Sequence, residues 1–463
     1  MGAKMDGRKR EDGKQLVLVA GLCAGIFFLL FAIRGLWPLR KGSIQMIDLY
    51  TQYTPLLYRF YDVVTGSKNL FVDLSVSGGM NLYADTVNEL INPFNYLLLP
   101  FGRGRLYLAV NLLPVFYGTA AAITSCAALQ RLWPGKRKYN VILGLSYAFS
   151  GYMAYQFQII RWLYLPVLFP LYVLALLRTL RKGRWGTYAL LLGYQMALSL
   201  QMGVMALFFG LFGSGVWFLM EKRDGIRVRR SCLALGVGTF SGMLLSSPVL
   251  VPQIWLLLHS ARAGENLSYF SVMKRHGLDD LFERLFQIYQ PVLAGLLVYF
   301  GRRAVRRLHE SGLPREGKAL LGWNLLLCLT VLAQPSNLLW HLGSYMCFPV
   351  RYAYMVLFSG VLLVKWLAVW TEEKADEGSR IRPVWGIAAL CLSAVAVAGS
   401  LFYQNGITQA FSSLAISMAC PGEAVRVILF LTLLFAGSLL ALRAGKARML
   451  SLTCVAGGAG LCF

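Results

Sequence analysis

The sequence QLVLVAGLCAGIFFLLFAI, residues 15–33, decides the fold class, because it runs for 19 residues without a charged side chain. An α-helix of that length rises about 28 Å, enough to cross the hydrocarbon core of a bilayer. The whole chain of 463 residues has the same character, with 57% hydrophobic and only 14% charged residues. This composition excludes a soluble, disordered or disulfide-stapled secreted protein and predicts an all-α polytopic integral membrane protein.

Apolar runs of similar length predict about thirteen transmembrane helices. They fall at residues 15–33, 107–130, 140–158, 162–178, 187–202, 203–220, 232–256, 285–301, 319–333, 349–370, 383–403, 423–442 and 449–463. The run from 187 to 220 is too long for one crossing, so two spans with a tight turn near Gln201 are predicted. Residues 1–14 then form an N-terminal tail and 15–463 a membrane domain. The first run lacks a small-x-small cleavage site, so we expect a retained helix and not a signal peptide.

The basic residues are distributed unevenly along this topology. The chain has 45 Lys and Arg against 21 Asp and Glu, a net charge of +24. With a cytoplasmic N-terminus, 30 of the basic residues fall in predicted inner segments and 12 in outer ones. The positive-inside rule therefore predicts a multi-pass cell-membrane protein with its N-terminus in the cytoplasm, and explains the basic excess without a nucleic-acid partner. Clusters such as Arg302-Arg303 are interpreted as topology determinants, with binding of membrane lipid headgroups as the alternative.

Motifs of several common enzyme classes are absent. The four histidines are scattered, and no P-loop, GxGxxG or GxSxG stands in a strand-turn-helix context, which argues against nucleotide-driven and serine-hydrolase chemistry. Nine cysteines form no CxxC pattern, and most fall in predicted spans, so they are interpreted as packing residues.

The most informative segment is the first extracytoplasmic loop, residues 34–106, because long loops usually carry function. Its acidic and tyrosine side chains alternate along the chain: Asp48, Asp62, Asp73, Asp85 and Glu89, with Tyr50, Tyr53, Tyr58, Tyr61, Tyr83 and Tyr96. Stretches 54–64 and 86–99 are predicted to form short interfacial helices. The alternative is an ordinary solvated face with an aromatic belt. A second extracytoplasmic loop, 257–285, is interpreted either as a lid or as a solvated loop.

Asp48 stands out among the loop acids. It lies about 15 residues beyond the first helix, and apolar neighbours are expected to hold it near the headgroup layer. Partial desolvation makes a carboxylate a better base, which favours Asp48 as a general base or metal ligand. The alternative is that Asp48 only caps an interfacial helix, because aspartate is a preferred N-cap residue.

Four short motifs together resemble one family. They are DLYTQY at 48–53, Ser77-Gly78-Gly79, Asn92-Pro93-Phe94-Asn95 and Phe348-Pro349-Val350-Arg351-Tyr352. In order over about residues 15–370, the chain resembles the YfhO family of bacterial membrane proteins, which are similar to GT-C-type glycosyltransferases. The resemblance implies a GT-C-like fold and transfer of a sugar from a polyprenyl-phosphate carrier to an acceptor outside the cytoplasmic membrane, such as lipoteichoic acid or another cell-envelope polymer. By the same resemblance, Asp48 occupies the place of the first-loop catalytic carboxylate.

Sugar transfer of this kind passes through an oxocarbenium-like transition state and needs cations for the departing phosphate. Three arginines are predicted to bind substrate there: Arg351 at the outer end of a span, Arg161 in a short outer turn, and Arg59 in the first loop. Tyr50 and Gln52, beside the proposed base, are predicted as further substrate contacts. The alternative for Arg161 and Arg351 is snorkelling toward the lipid headgroups.

Two other classes of function stay open. A lipid-carrier flippase or transporter fits the number of spans, although no acidic residue falls at a predicted bilayer midplane, where ion-coupled carriers place their carboxylates. A non-catalytic scaffold for envelope assembly would leave the loop carboxylates without a chemical role. No cofactor is predicted with certainty; a divalent metal held by Asp48 and a second acid is left open, since no acidic pair has the spacing of a metal site.

Overall fold

The computed structural model describes residues 2–46, 48–74, 79–220, 225–259, 284–333, 339–341 and 350–372. Within these ranges the regular secondary structure is helical apart from two short strands. The helices are α1 (Gly2–Arg34), α2 (Thr54–Val64), α3 (Tyr83–Leu90), α4 (Leu106–Ala109), α5 (Leu112–Leu132), α6 (Lys138–Ala148), α7 (Gly151–Tyr155), α8 (Ile160–Leu163), α9 (Leu165–Lys182), α10 (Gly186–Leu198), α11 (Leu200–Met220), α12 (Gly225–Leu258), α13 (Pro291–Ser311), α14 (Arg315–Leu332) and α15 (Ala353–Glu372). The strands β1 (Val72–Asp73) and β2 (Met80–Asn81) pair antiparallel. A π-helical turn covers Leu49–Tyr53, and 3-10 turns cover Asn95–Phe101 and Arg103–Arg105.

Six segments of the described residues are long and apolar enough to cross a membrane. They are Arg10–Arg34, Leu112–Leu132, Ile160–Lys182, Leu200–Leu219, Val228–Leu258 and Ala353–Thr371. Each coincides with a predicted span, so the all-α membrane class is confirmed. The predicted spans at 383–403, 423–442 and 449–463 lie outside the described residues, and the total of thirteen stays a prediction.

The predicted span at 140–158 is interrupted, because α6 and α7 are separate helices. The segment that leads into α13 packs against the break. Gln290 Nε2 donates a hydrogen bond to the carbonyl oxygen of Phe149 at 3.0 Å. A Cβ atom on Gly151 would lie 1.9 Å from the carbonyl oxygen of Phe286, so only glycine permits this approach. Backbone groups freed inside a membrane protein need such internal partners.

The predicted hairpin within 187–220 is present, but its turn lies at Ser199 and not at Gln201. The two helices touch closely here, since a Cβ atom on Gly203 would lie 2.4 Å from the Cα atom of Met196. Helix α10 has 13 residues, a length of about 20 Å, which is shorter than the roughly 30 Å hydrocarbon core. The first loop meets the end of this short helix.

The first loop folds onto the helix bundle. Helix α2 has the predicted bounds of 54–64, whereas α3 covers only the start of the stretch predicted at 86–99. Tyr194 of α10 donates its hydroxyl to the carbonyl oxygen of Ile91 at 2.6 Å. Such contacts fix the loop against one end of the bundle, which we call the loop end.

Segments rich in basic residues meet at the opposite end. Gln15 of α1 donates to the carbonyl oxygen of Arg137 at 3.2 Å, and Lys365 of α15 donates to that of Lys136 at 3.1 Å. The loop at 136–137 falls between two predicted spans on the cytoplasmic side. It therefore lies with the start of α1 and the later part of α15 at the end of the bundle away from the first loop.

Helix α15 lies inside the bundle. It contacts α6, α13 and α14, and its apolar side chains are buried almost throughout. A helix that is hydrophobic on all sides is typical of a position surrounded by other helices. Because α15 begins at the loop end, Arg351 stands directly before its first turn.

Candidate functional site

Tyr53, at the end of the π-helical turn, stands at the centre of a charged cluster. Burial raises the pKa of its hydroxyl to about 12. The charges of Arg161 and Arg351 act to lower that pKa, and those of Glu89 and Asp48 act to raise it. Four charged side chains from distant parts of the chain therefore act electrostatically on one hydroxyl group. Three of them are predicted site residues, which the structure brings together.

Arg161 and Glu89 form a buried ion pair between α8 and α3. Arg161 donates from Nη2 and Nε to Oε1 of Glu89, at 2.7 and 3.0 Å, and the two side chains are 13% and 3% exposed. The other carboxylate oxygen, Oε2, accepts a hydrogen bond from Asn95 Nδ2 at 2.8 Å. The guanidinium group also lies over the ring of Tyr53, 5.7 Å from its centre. Arg161 therefore ties the first loop to the bundle.

Arg351 links three segments at the loop end. Its guanidinium group donates to the side-chain oxygen of Gln201 at the start of α11 and lies over the ring of Trp162, 4.8 Å from its centre. Its backbone N–H donates to Nε2 of His341 at 3.3 Å. His341 is fully buried. These contacts hold a cation beside Tyr53 while its side chain stays partly exposed.

Asp48 is half-buried at the start of the π-helical turn. Asp48 stands at the N-cap position of this turn, but its carboxylate makes no capping hydrogen bond. Three other acids of the loop, Asp62, Asp73 and Glu89, are bound in ion pairs. Within the described ranges no ion pair or hydrogen bond joins the Asp48 side chain. The π-helical turn is a rare geometry that often occurs at functional sites.

Tyr50 and Gln52 lie on the same turn as Asp48, and both side chains are exposed. Tyr50 packs edge-on against Tyr107, with ring centres 6.4 Å apart. Their exposure leaves them accessible to a bound molecule, and their role as substrate contacts stays a prediction.

Arg59 lies apart from this cluster, inside the first loop. It donates to Asp73 Oδ2 at 2.5 Å, to Thr86 Oγ1 at 2.8 Å and to the carbonyl oxygen of Asn69 at 3.1 Å. The side chains of Arg59 and Asp73 are only 5% and 6% exposed. Its donors hold the strand β1 against α2 and α3, and we therefore leave Arg59 out of the candidate site.

We expect Asp73→Asn to lower the free energy of unfolding by about 3 kcal/mol, because it leaves the buried Arg59 charge without its counter-ion. Thermal unfolding in detergent measures the change. Lys68→Gln is the matched control, since Lys68 also binds Asp73, at 3.0 Å, but is 37% exposed. A loss below about 0.5 kcal/mol is expected for the control. Equal losses in both variants would contradict the assignment of Asp73 as the buried counter-ion of Arg59.

Several site residues could not be identified from the sequence. Glu89 was named only as one of five loop acids, and Tyr53 only as one of six tyrosines. Gln201 was used only to place a turn, although a polar residue within a long apolar run is itself a signal. The sequence does not indicate a role for His341, because no motif links this single histidine to Arg351, ten residues later.

The described residues contain no group of three or more His, Cys, Asp or Glu side chains placed to hold a metal ion. The divalent metal that the sequence left open has no further support from this part of the chain.

Residues 260–283 of the second predicted loop lie outside the described residues, and the lid interpretation stays a prediction. The arrangement that remains is the Asp48 carboxylate and the partly exposed Arg351, both of which act electrostatically on Tyr53.

Comparison with known proteins identifies the family. Residues 21–457 match the family model described as bacterial membrane protein YfhO. The match includes the first loop, every helix of the candidate site and most of the chain beyond residue 372. No curated protein and no solved structure matches the chain. Because the family model covers nearly the whole sequence, the chain belongs to the YfhO family of bacterial membrane proteins.

Proposed function

We propose that this protein is a membrane glycosyltransferase that moves a sugar from a polyprenyl-phosphate carrier to a hydroxyl group of a cell-envelope acceptor, such as lipoteichoic acid. One observation carries the proposal: the half-buried carboxylate of Asp48, outside every ion pair of the described residues, and the guanidinium group of Arg351 both act electrostatically on the hydroxyl of Tyr53. A base and an anion-binding cation at the end of a helix bundle suit a reaction between a lipid-borne phosphate and an alcohol.

In the proposed reaction the acceptor oxygen attacks the anomeric carbon of the sugar, and the bond from that carbon to the carrier's phosphate oxygen breaks. The phosphate leaves with the bonding electrons. Asp48 takes the proton of the acceptor hydroxyl, which keeps the new glycosidic oxygen neutral. Arg351 stabilises the negative charge on the departing phosphate, and the charge of Arg161 is already balanced by Glu89.

In this proposal the loop end faces the outside of the cell. The basic segments meet at the other end of the bundle, as the positive-inside rule requires of a cytoplasmic face. A sugar on a lipid carrier lies with its phosphate in the headgroup layer. Helix α10, with 13 residues, meets the first loop at this end of the bundle.

The test is sugar transfer in proteoliposomes, with a panel of polyprenyl-phosphate sugars as donors and envelope polymers as acceptors. Transfer that depends on the purified protein supports the proposal. Movement of a labelled carrier between leaflets without any acceptor would instead identify a flippase. Co-purification of an active glycosyltransferase with a chain that transfers nothing would identify a scaffold.

We expect Arg351→Gln to lower kcat/KM for transfer by about 100-fold, because it removes the partly exposed cation proposed to stabilise the departing phosphate. Initial rates in proteoliposomes measure the effect. Arg103→Gln is the matched control: Arg103 lies on the same loop, is 59% exposed and binds Asp62 outside the cluster. Unchanged transfer by the Arg351 variant would exclude that arginine as the phosphate-binding group.

A further inference from the structure

The hairpin of the first loop has an inverted pattern of exposure. Phe71, Val72 and Leu74 are 56%, 47% and 79% exposed, while Asp73 between them is only 6% exposed. Successive side chains of a strand point to opposite faces. In a water-soluble protein the apolar face of such a strand is buried and the charged face is solvated. Here Asp73 points inward to Arg59, and its neighbours Val72 and Leu74 point outward. Phe71, which precedes the strand, is exposed as well.

A contact with α12 fixes the position of this apolar surface relative to the membrane-spanning helix. Phe71 stacks on Tyr83, with ring centres 5.5 Å apart, and the Tyr83 hydroxyl donates to the carbonyl oxygen of Pro248 at 3.2 Å. That carbonyl is available because Pro252, four residues later, has no N–H group to bond it. The hairpin is therefore joined to a defined turn of a membrane-spanning helix.

The position of Pro248 in the bilayer follows from helix geometry. The exposed basic residues Arg229 and Arg230 mark the opposite end of this span. Pro248 lies 18 residues beyond Arg230 in α12, about 27 Å along the helix axis. The hydrocarbon core is about 30 Å thick and α12 stays apolar as far as Leu258, so Pro248 lies in the outer part of the core, on the side of the loop end.

The apolar surface of the hairpin continues along α12. This helix exposes large apolar side chains on both sides of Pro248: Leu244, Leu245, Val251 and Trp255 are each 59% to 62% exposed. Side chains of this kind on a span face lipid. The hairpin extends the same surface to the boundary of the hydrocarbon core.

We propose that Phe71, Val72 and Leu74 insert into the lipid of the adjacent leaflet and anchor the first loop at the membrane surface. The partner is the bilayer itself, at the level of the glycerol groups and the first acyl carbons. The anchor keeps the loop at a fixed depth, in addition to the contacts made by α3. The inference does not depend on the proposed sugar transfer.

Spin labels at single cysteines test the anchor. In a cysteine-free variant reconstituted into vesicles, labels are placed at Val72→Cys, Leu74→Cys and, as control, Ser67→Cys, an exposed polar position on the same loop. Power-saturation measurements compare collisions with oxygen, which concentrates in lipid, and with a water-soluble nickel chelate. We expect oxygen to dominate at positions 72 and 74 by at least a few fold, and the nickel chelate at position 67.

Three results would overturn the proposal. Preference for the nickel chelate at all three positions would place the hairpin in water. Poor access of both reagents at positions 72 and 74 would indicate a protein contact, such as a second copy of the chain. Loss of oxygen access only after addition of a polyprenyl phosphate would assign the surface to the carrier's chain. Gel filtration of each variant confirms that the substituted protein is folded.

Discussion

Asp48→Asn is expected to reduce sugar transfer by about 10²- to 10⁴-fold, the range over which a positioned general base contributes to rate. Asparagine keeps the size and shape of aspartate but cannot accept the proton of the acceptor hydroxyl. The Asp48 side chain carries no ion pair or hydrogen bond within the described ranges, so its replacement removes chemistry without removing a structural contact. Initial transfer rates in proteoliposomes, at equal amounts of inserted protein, measure the effect.

Asp85→Asn is the matched control for this substitution. Asp85 lies in the first turn of α3 on the same loop and is exposed. We expect its replacement to leave transfer within about twofold of wild type, because its side chain is exposed and the carbonyl oxygen that accepts from Arg161 belongs to the backbone. Full activity of the Asp48 variant would exclude that carboxylate as the base. Equal losses in both variants would indicate a general dependence on loop charge.

Arg161→Met is expected to lower the free energy of unfolding by about 3–5 kcal/mol, the cost of leaving one partner of a buried ion pair uncompensated. Glu89 is only 3% exposed, so its charge has little water to replace the lost arginine. The double variant Arg161→Met with Glu89→Gln should recover most of that loss, because no buried charge remains. Thermal unfolding in detergent of the wild type, the two single variants and the double variant completes this double-mutant cycle.

Arg181→Met provides the comparison with an exposed pair. Arg181 binds Glu316 at 3.3 Å, and the two side chains are 42% and 39% exposed. A loss of about 1 kcal/mol or less is expected for it, since solvent screens such pairs. If Arg161→Met costs no more than this control, or if Glu89→Gln brings no recovery, the Arg161–Glu89 pair does not anchor the loop.

The sequence predicts local features of this protein well. The 19-residue apolar run predicts the first span, and the mixed polar and apolar pattern at 54–64 predicts α2 with its observed bounds. Both signals arise within one helix, where hydrophobicity and periodicity act over neighbouring residues. Asp48 was likewise found from its immediate neighbours.

Features that depend on distant contacts could not be predicted. Arg161 was interpreted as a phosphate ligand or a snorkelling side chain, whereas the structure pairs it with Glu89, 72 residues earlier in the chain. The break after α6 depends on Gln290 and on the closeness of Phe286 to Gly151. An apolar run shows that a segment is buried, but it does not show where another segment supplies hydrogen bonds to interrupt it.

The buried position of α15 has a consequence for biosynthesis. Asp48 and Arg351 are 303 residues apart in the chain, so at elongation rates of about 5–20 residues per second they leave the ribosome roughly 15–60 s apart. The Arg161–Glu89 pair can form much earlier and hold the loop in place during that interval. Arg351 takes its place at the loop end only when α15 enters a space already enclosed by earlier helices. A nascent chain that stalls before α15 is complete would therefore have a docked loop but no finished site.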